Sequence, residues 1–159
     1  MIAIALTIVI LALFNSAIYE REQTIANGET LLLELAPVDP RSLMQGDYMQ
    51  LRYTVEGAAA SADILGDYQR RGYLVIRGDA NDVAGFVRFH FGEPLNSSEK
   101  LVRFHNRANR IRIVPDSFFF QEGHADLYVG ARYGVFRFDD RGRYVLVGLA
   151  DAGRVLIEP

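Results

Sequence analysis

The sequence predicts a mainly β domain, a small barrel or sandwich with one or two short helices, preceded by a single N-terminal transmembrane helix. Three observations carry this. Apolar and polar residues alternate through most of the chain after Thr30, in short runs bounded by Gly, Pro, Asn and Asp. Residues 1–19, MIAIALTIVILALFNSAIY, hold no charged side chain. The 159 residues are 50% hydrophobic and 23% charged, enough apolar material for one core and too much for a disordered chain.

Residues 1–19 read as a helix about 28 Å long at ~1.5 Å per residue, close to the ~30 Å hydrocarbon thickness of a bilayer. Asn15 and Ser16 stand near its far end, Tyr19 suits the interface, and Glu20-Arg21-Glu22 is aqueous. A cleaved signal peptide and a buried soluble helix are the competing readings. The first wants a basic start and a small-x-small site, and the second wants a cover on every face. We carry forward the anchor: 1–19 in the membrane, 20–29 a juxtamembrane stalk, and 30–159 one mainly β domain. The charges flanking the helix are mixed, and we place the body outside the cytoplasm.

The strands follow in order. Thr30–Leu35 comes after the Asn27-Gly28 turn signal, and Asp47–Val55 is the second strand. In the latter Met49, Leu51, Tyr53 and Val55 share one face, while Tyr48, Gln50, Arg52 and Thr54 share the other. Residues 56–61 read as a small-residue connection, 62–71 as a helical turn or loop, and 72–77 as a strand. Two copies of Val-Arg-Phe-His follow, in 86–91 and 101–105. The first sets Val87, Phe89 and Phe91 against Arg88 and His90. Strand 111–114 is stopped by Pro115. The run Phe118-Phe119-Phe120 is either buried or covered by another protein. Residues 122–133 pattern as a helix with Gly134 as its left-handed stop. Residues 135–149 read as a hairpin around Asp139–Gly142, and 154–158 as a last strand.

The stretch PVDPRSLMQGDYMQLRY, residues 37–53, has the order of a structural device. Pro37 and Pro40 stiffen the approach, with Asp39-Pro40 favouring a turn. Residues 42–45 are expected as one helical turn, Gly46 as a residue with positive φ, and Asp47 as a bond to nearby amides.

The chemistry is constrained mainly by what is missing. Without cysteine there is no thiolate catalysis, disulfide or Cys-type zinc site. A net charge of −3 gives no argument for nucleic acid. His90, His105 and His124 with Glu122 have no metal-site spacing, so no metal and no cofactor is expected. A Ser/Lys protease layout fails because Ser42 is out of place before Gly46-Asp47, and Lys100 is the only lysine. Nothing argues for an enzyme. Arg103, Arg107, Arg110 and Arg112, with Arg88 expected beside them in the sheet, form a basic cluster. Either it pairs with Glu93, Glu99 or Asp116, or it meets an anionic partner such as lipid headgroups or an acidic loop.

The octapeptide Gly46-Asp47-Tyr48-Met49-Gln50-Leu51-Arg52-Tyr53 resembles the motif of the GDYXXLXY protein family. The likeness extends to Glu20-Arg21-Glu22, Gly28, Pro37-Val38-Asp39-Pro40-Arg41 and Phe118–Gly123, which includes Glu122 and Gly123. The resemblance implies a bacterial protein anchored in the inner membrane by one helix, an accessory to a multi-pass membrane protein, without an established activity. The expected function is therefore a non-enzymatic interaction subunit touching the bilayer. The alternative is an extracytoplasmic ligand-binding or enzymatic domain with a pocket near Asp47, Arg52 and Glu122.

Overall fold

The computed structural model describes residues 2–36, 44–45, 48–62, 70–107 and 110–158. For Ile2, Ala3, Ala5, Met44, Gln45 and Arg107 only the backbone is described. Pro37, Asp39, Pro40, Arg41, Gly46 and Asp47 lie outside the described residues.

Helix α1 runs unbroken over Ile2–Asn27. Its residues 20–27, expected as a stalk, are helical and seat on the body. The spanning helix expected over 1–19 is not found as such. Among the described residues no helix is long and apolar enough to cross a membrane. The apolar run whose side chains are all described covers only 6–19, after which the helix continues into Glu20, Arg21 and Glu22.

The body is mainly β, as expected. Strands β1 (Glu29–Glu34), β9 (Tyr133–Phe138) and β10 (Tyr144–Ala150) form one antiparallel sheet in the order β1-β9-β10. Strands β2 (Met44–Gln45), β3 (Tyr48–Gln50) and β8 (Ser117–Phe119) form a second in the order β2-β3-β8. Strands β4 (Arg71–Gly78), β5 (Ala84–His90), β6 (Glu99–Arg107) and β7 (Arg110–Ile113) form a third in the order β5-β4-β6-β7. Single bridges, Leu32 to Val83 and Leu35 to Tyr53, stitch the sheets together, so they curl as an open half-barrel around one core. Leu33, Leu74, Ile76, Val102, Phe136 and Leu149 are fully buried at its centre.

Four expectations are corrected. The strand expected over 47–55 stops at Gln50, and Thr54–Ser61 is a helix, α2. Three alanines and Glu56 in its first turn favour helix, and Val55, Glu56 and Ala59 give it an inward face. Met44 and Gln45 are in a strand opposite Met49 and Tyr48, not in a helical turn. The helix expected over 122–133 reduces to one 3-10 turn, Ala125–Tyr128. In that stretch Tyr128 is the buried residue, and a short helix without an apolar face does not sustain itself in water. Gly134 is not a helix stop. It sits within β9, where a Cβ would come within 3.2 Å of the Tyr53 ring.

The alternation in β5 is also displaced. A bulge at Val87 interrupts the pairing with β4, so Phe86 and Phe89 fall together with rings 5.5 Å apart, while Phe91 lies beyond the strand and is exposed. The two Val-Arg-Phe-His strands are not neighbours, because β4 lies between them. The last strand, expected over 154–158, is a single bridge from Leu156 to Ala150. The hairpin expected over 135–149 is present as β9 and β10, with Asp139 accepting from the Arg141 and Arg143 amides.

Candidate functional site

Alternation sends Met49, Leu51, Tyr53 and Val55 inward, and all are buried even though the ladder ends at Gln50. The chain then bonds outward on both sides. The Leu51 amide donates to the Asp116 carbonyl at 2.7 Å, and the Ala36 amide to the Arg52 carbonyl at 2.8 Å. Tyr53 lies at the centre. Its ring meets Phe136 edge-on at 5.7 Å, and its hydroxyl donates to the Pro115 carbonyl at 2.9 Å. Burial, then the nearby Glu56 charge, pushes its phenol well above the ordinary range. This tyrosine is a structural rivet, not an acid or base near neutrality. Tyr48, half-buried, packs its ring 5.7 Å from that of Phe119.

Three residues on from Tyr53, Glu56 projects from α2 to the edge of β7. It accepts from the Ile113 amide at 2.8 Å and lies 3.7 Å from the Arg112 guanidinium. Burial raises its carboxyl above the ordinary value, and the Ile113 amide and Arg112 only partly offset this. Sequence reading passed over Glu56 as part of a connection. The available signal was an acid at the first turn of an Ala-rich segment.

The arginines separate into different environments. Strand register puts Arg103, Arg110 and Arg112 on one face of the β6–β7 pair. Arg88 is engaged by Glu99 at 2.7 Å and Glu93 at 3.1 Å. Arg88, followed by the Asn96 amide, lowers the Glu99 carboxyl to about 2. Arg112 turns to Glu56. Arg110 is exposed, and for Arg107 the backbone alone is described. Arg103 is exposed and forms no ion pair among the described residues.

Glu122 is exposed in a turn, and Gly123 adopts φ +86°, a conformation glycine takes without strain. Arg52 is exposed as well, and neither Arg52 nor Glu122 lines the grooves formed by the described residues at α1, at Phe118–Gln121 and beside α2. His90 faces Tyr73 and His105 faces Arg71, on strands separated by β4. Among the described residues no cluster of His, Asp or Glu is arranged to hold a metal ion.

The largest of these grooves, about 610 Å³, lies at the foot of α1. Phe14, Ala17 and Ile18 form its apolar wall, and Arg21, Arg103, Arg141, Arg143, Tyr73 and Tyr144 surround the rest. The helix foot is fixed to the β9–β10 loop. The buried Thr24 hydroxyl lies 3.0 Å from the Glu20 carbonyl and 3.2 Å from Asp139 Oδ2. Arg143 bridges Asp139, at 2.6 Å, and Glu20. Tyr144 joins the two larger sheets, accepting from the Arg103 amide at 2.9 Å and donating to the Val114 carbonyl at 2.6 Å. A second groove, of about 450 Å³, is apolar. It is lined by Phe118, Phe120, Tyr128 and Ile157 together with the exposed Phe119 and Leu156.

Neither the curated proteins nor the solved structures offer a match to the chain. The model of the GDYXXLXY protein family matches residues 10–149, spanning the motif strand, the four-stranded sheet and most of β10. The chain belongs to the GDYXXLXY protein family.

Proposed function

We propose that the chain is a membrane-anchored, non-enzymatic accessory domain that serves an integral membrane partner from the extracytoplasmic face of a bacterial inner membrane. The observation that supports this most is α1. Ile8, Val9, Ile10 and Leu11 follow one another around the helix, and each is at least 46% exposed. A helix apolar on every side needs an apolar cover. The uncharged residues 1–5 extend the described run 6–19 to about the thickness of a bilayer core. Because the foot of α1 is pinned to the β9–β10 loop, the body would ride against the membrane surface as one piece with the anchor.

The accessory role draws support from the apolar groove. Phe119 is 73% exposed and Leu156 is 45% exposed, an arrangement suited to a protein contact. The test is a pull-down of the full-length chain from crosslinked, detergent-solubilised membranes. One multi-pass protein is expected in fixed ratio, and Phe119→Ser should lose it while remaining in the membrane fraction. Recovery of the chain alone would contradict the accessory role.

A further inference from the structure

We propose that the groove at the foot of α1 binds one anionic phospholipid, with an acyl chain along the helix and the phosphate among the arginines. The proposal rests on the membrane reading of α1 given above. With residues 1–19 in the bilayer, Arg21 stands at headgroup level, and the groove opens there. Its wall of Phe14, Ala17 and Ile18 continues the exposed apolar surface of the helix, which suits a hydrocarbon chain.

The polar end carries four arginines against one glutamate, Glu20. Glu20 is already held by Arg143 and lies 3.9 Å from Arg141, and Asp139 also binds Arg143. Arg21 and Arg103 have no ion pair among the described residues. The surplus positive charge therefore lies on one residue from the helix and one from β6. A phosphate between them would link the anchor to the sheet. Guanidinium groups suit phosphate oxygens, and a headgroup carrying its own cation would leave the surplus unanswered.

The two walls are positioned before any ligand arrives. Thr24 and Arg143 fix the helix to the hairpin loop, and Tyr144 fixes β10 to β6 at Arg103 and to the end of β7 at Val114. Little ordering remains to oppose binding.

The experiment reconstitutes the full-length chain in nanodiscs of phosphatidylcholine with a minor fraction of phosphatidylglycerol. Lipids retained after gentle detergent release are counted by native mass spectrometry. Phosphatidylglycerol should be enriched on the protein. The enrichment should fall about fivefold for each arginine removed in Arg21→Gln and Arg103→Gln. Arg110→Gln, elsewhere on the same sheet face, should keep it, and all three variants should melt as the parent does. Equal retention of both lipids, or enrichment indifferent to Arg21 and Arg103, would overturn the proposal.

A second arm titrates the protein in solution with short-chain phosphatidylglycerol, short-chain phosphatidylcholine and inorganic phosphate. Preference for the anionic lipid that depends on Arg103 supports the groove even if the chain fails to insert, in which case the membrane reading alone falls. Insertion without headgroup preference leaves the anchor standing and removes the lipid site. Binding of inorganic phosphate as tight as that of the lipid would also overturn it, since the apolar wall would then contribute nothing.

Discussion

Residues 49–55 and residues 6–19 are both rich in large apolar side chains, yet they end in opposite surroundings. Met49, Leu51, Tyr53 and Val55 are at most 6% exposed, whereas Leu6, Leu11, Leu13 and Phe14 are 59–66% exposed. In the first segment the apolar residues alternate with Gln50, Arg52 and Thr54, so one face can enter a core and the other meet water. In the second they are consecutive on a helix, and no rotation hides them from solvent. Alternating apolar residues are satisfied by the chain's own fold. Consecutive ones on this helix must be satisfied from outside it.

That contrast is sharpest under truncation. Leu51→Ala should cost about 2–5 kcal/mol, because a fully buried side chain leaves a cavity among packed neighbours. Leu11→Ala should change the stability of the body in detergent very little, within about 0.5 kcal/mol. If both substitutions shifted the melt alike, α1 would be part of the core and the contrast would be false.

The next effect probes polar burial beside the motif. Glu56→Ala should cost about 1–3 kcal/mol in denaturant unfolding, since the Ile113 amide loses its acceptor. A smaller loss, about 1 kcal/mol, is expected for Tyr53→Phe, which removes the bond to Pro115 and keeps the ring packing. No loss in Tyr53→Phe would mean that the hydroxyl is not a tie between the motif strand and the loop before β8.

Acid stability sharpens the comparison between two buried carboxylates that both face arginine. Glu99 is held at about 2, below its ordinary 4.5, chiefly by Arg88. Its contribution is fully present above about 4.5 and is lost as pH falls toward about 2. Glu56 is shifted the other way by burial, so the folded state takes up its proton more readily than the unfolded chain. Its contribution improves as pH falls through the raised value toward the ordinary carboxylate range. Melting curves of Glu99→Gln should therefore be flatter between about 4.5 and about 2. Those of Glu56→Gln should lack the gain expected of the parent on acidification from neutrality. Identical pH profiles in the two variants would contradict these environments.

How much of this was legible in sequence follows from which forces act locally. The inward set Met49, Leu51, Tyr53 and Val55 was readable because alternation is local. Helix α2 is not legible at all, because the same alternation runs on through Thr54 and Val55 and the small residues 56–61 read as a connection, while its helical character comes from its alanines and its packing. Gly134 looked like a helix stop because the Tyr53 ring that needs its missing Cβ comes from more than eighty residues earlier. Alternation along β6 and β7 is enough to put Arg103 and Arg112 on one face. The pairing of Arg88 with Glu93 and Glu99 is within reach of local reading too, but the Glu56 partner of Arg112 and the groove beside Arg103 are not, since they depend on how α2 and α1 return to the sheet.

The most direct test of the outside-satisfied helix is extraction of membranes carrying the full-length chain with alkaline carbonate. The parent should remain in the pellet, and the double variant Ile8→Arg/Leu11→Arg, each arginine costing about 2.5–3.5 kcal/mol at a helix centre in a bilayer, should move to the supernatant with its melting midpoint unchanged. Release of the parent chain by carbonate, or unfolding of the double variant, would contradict the account.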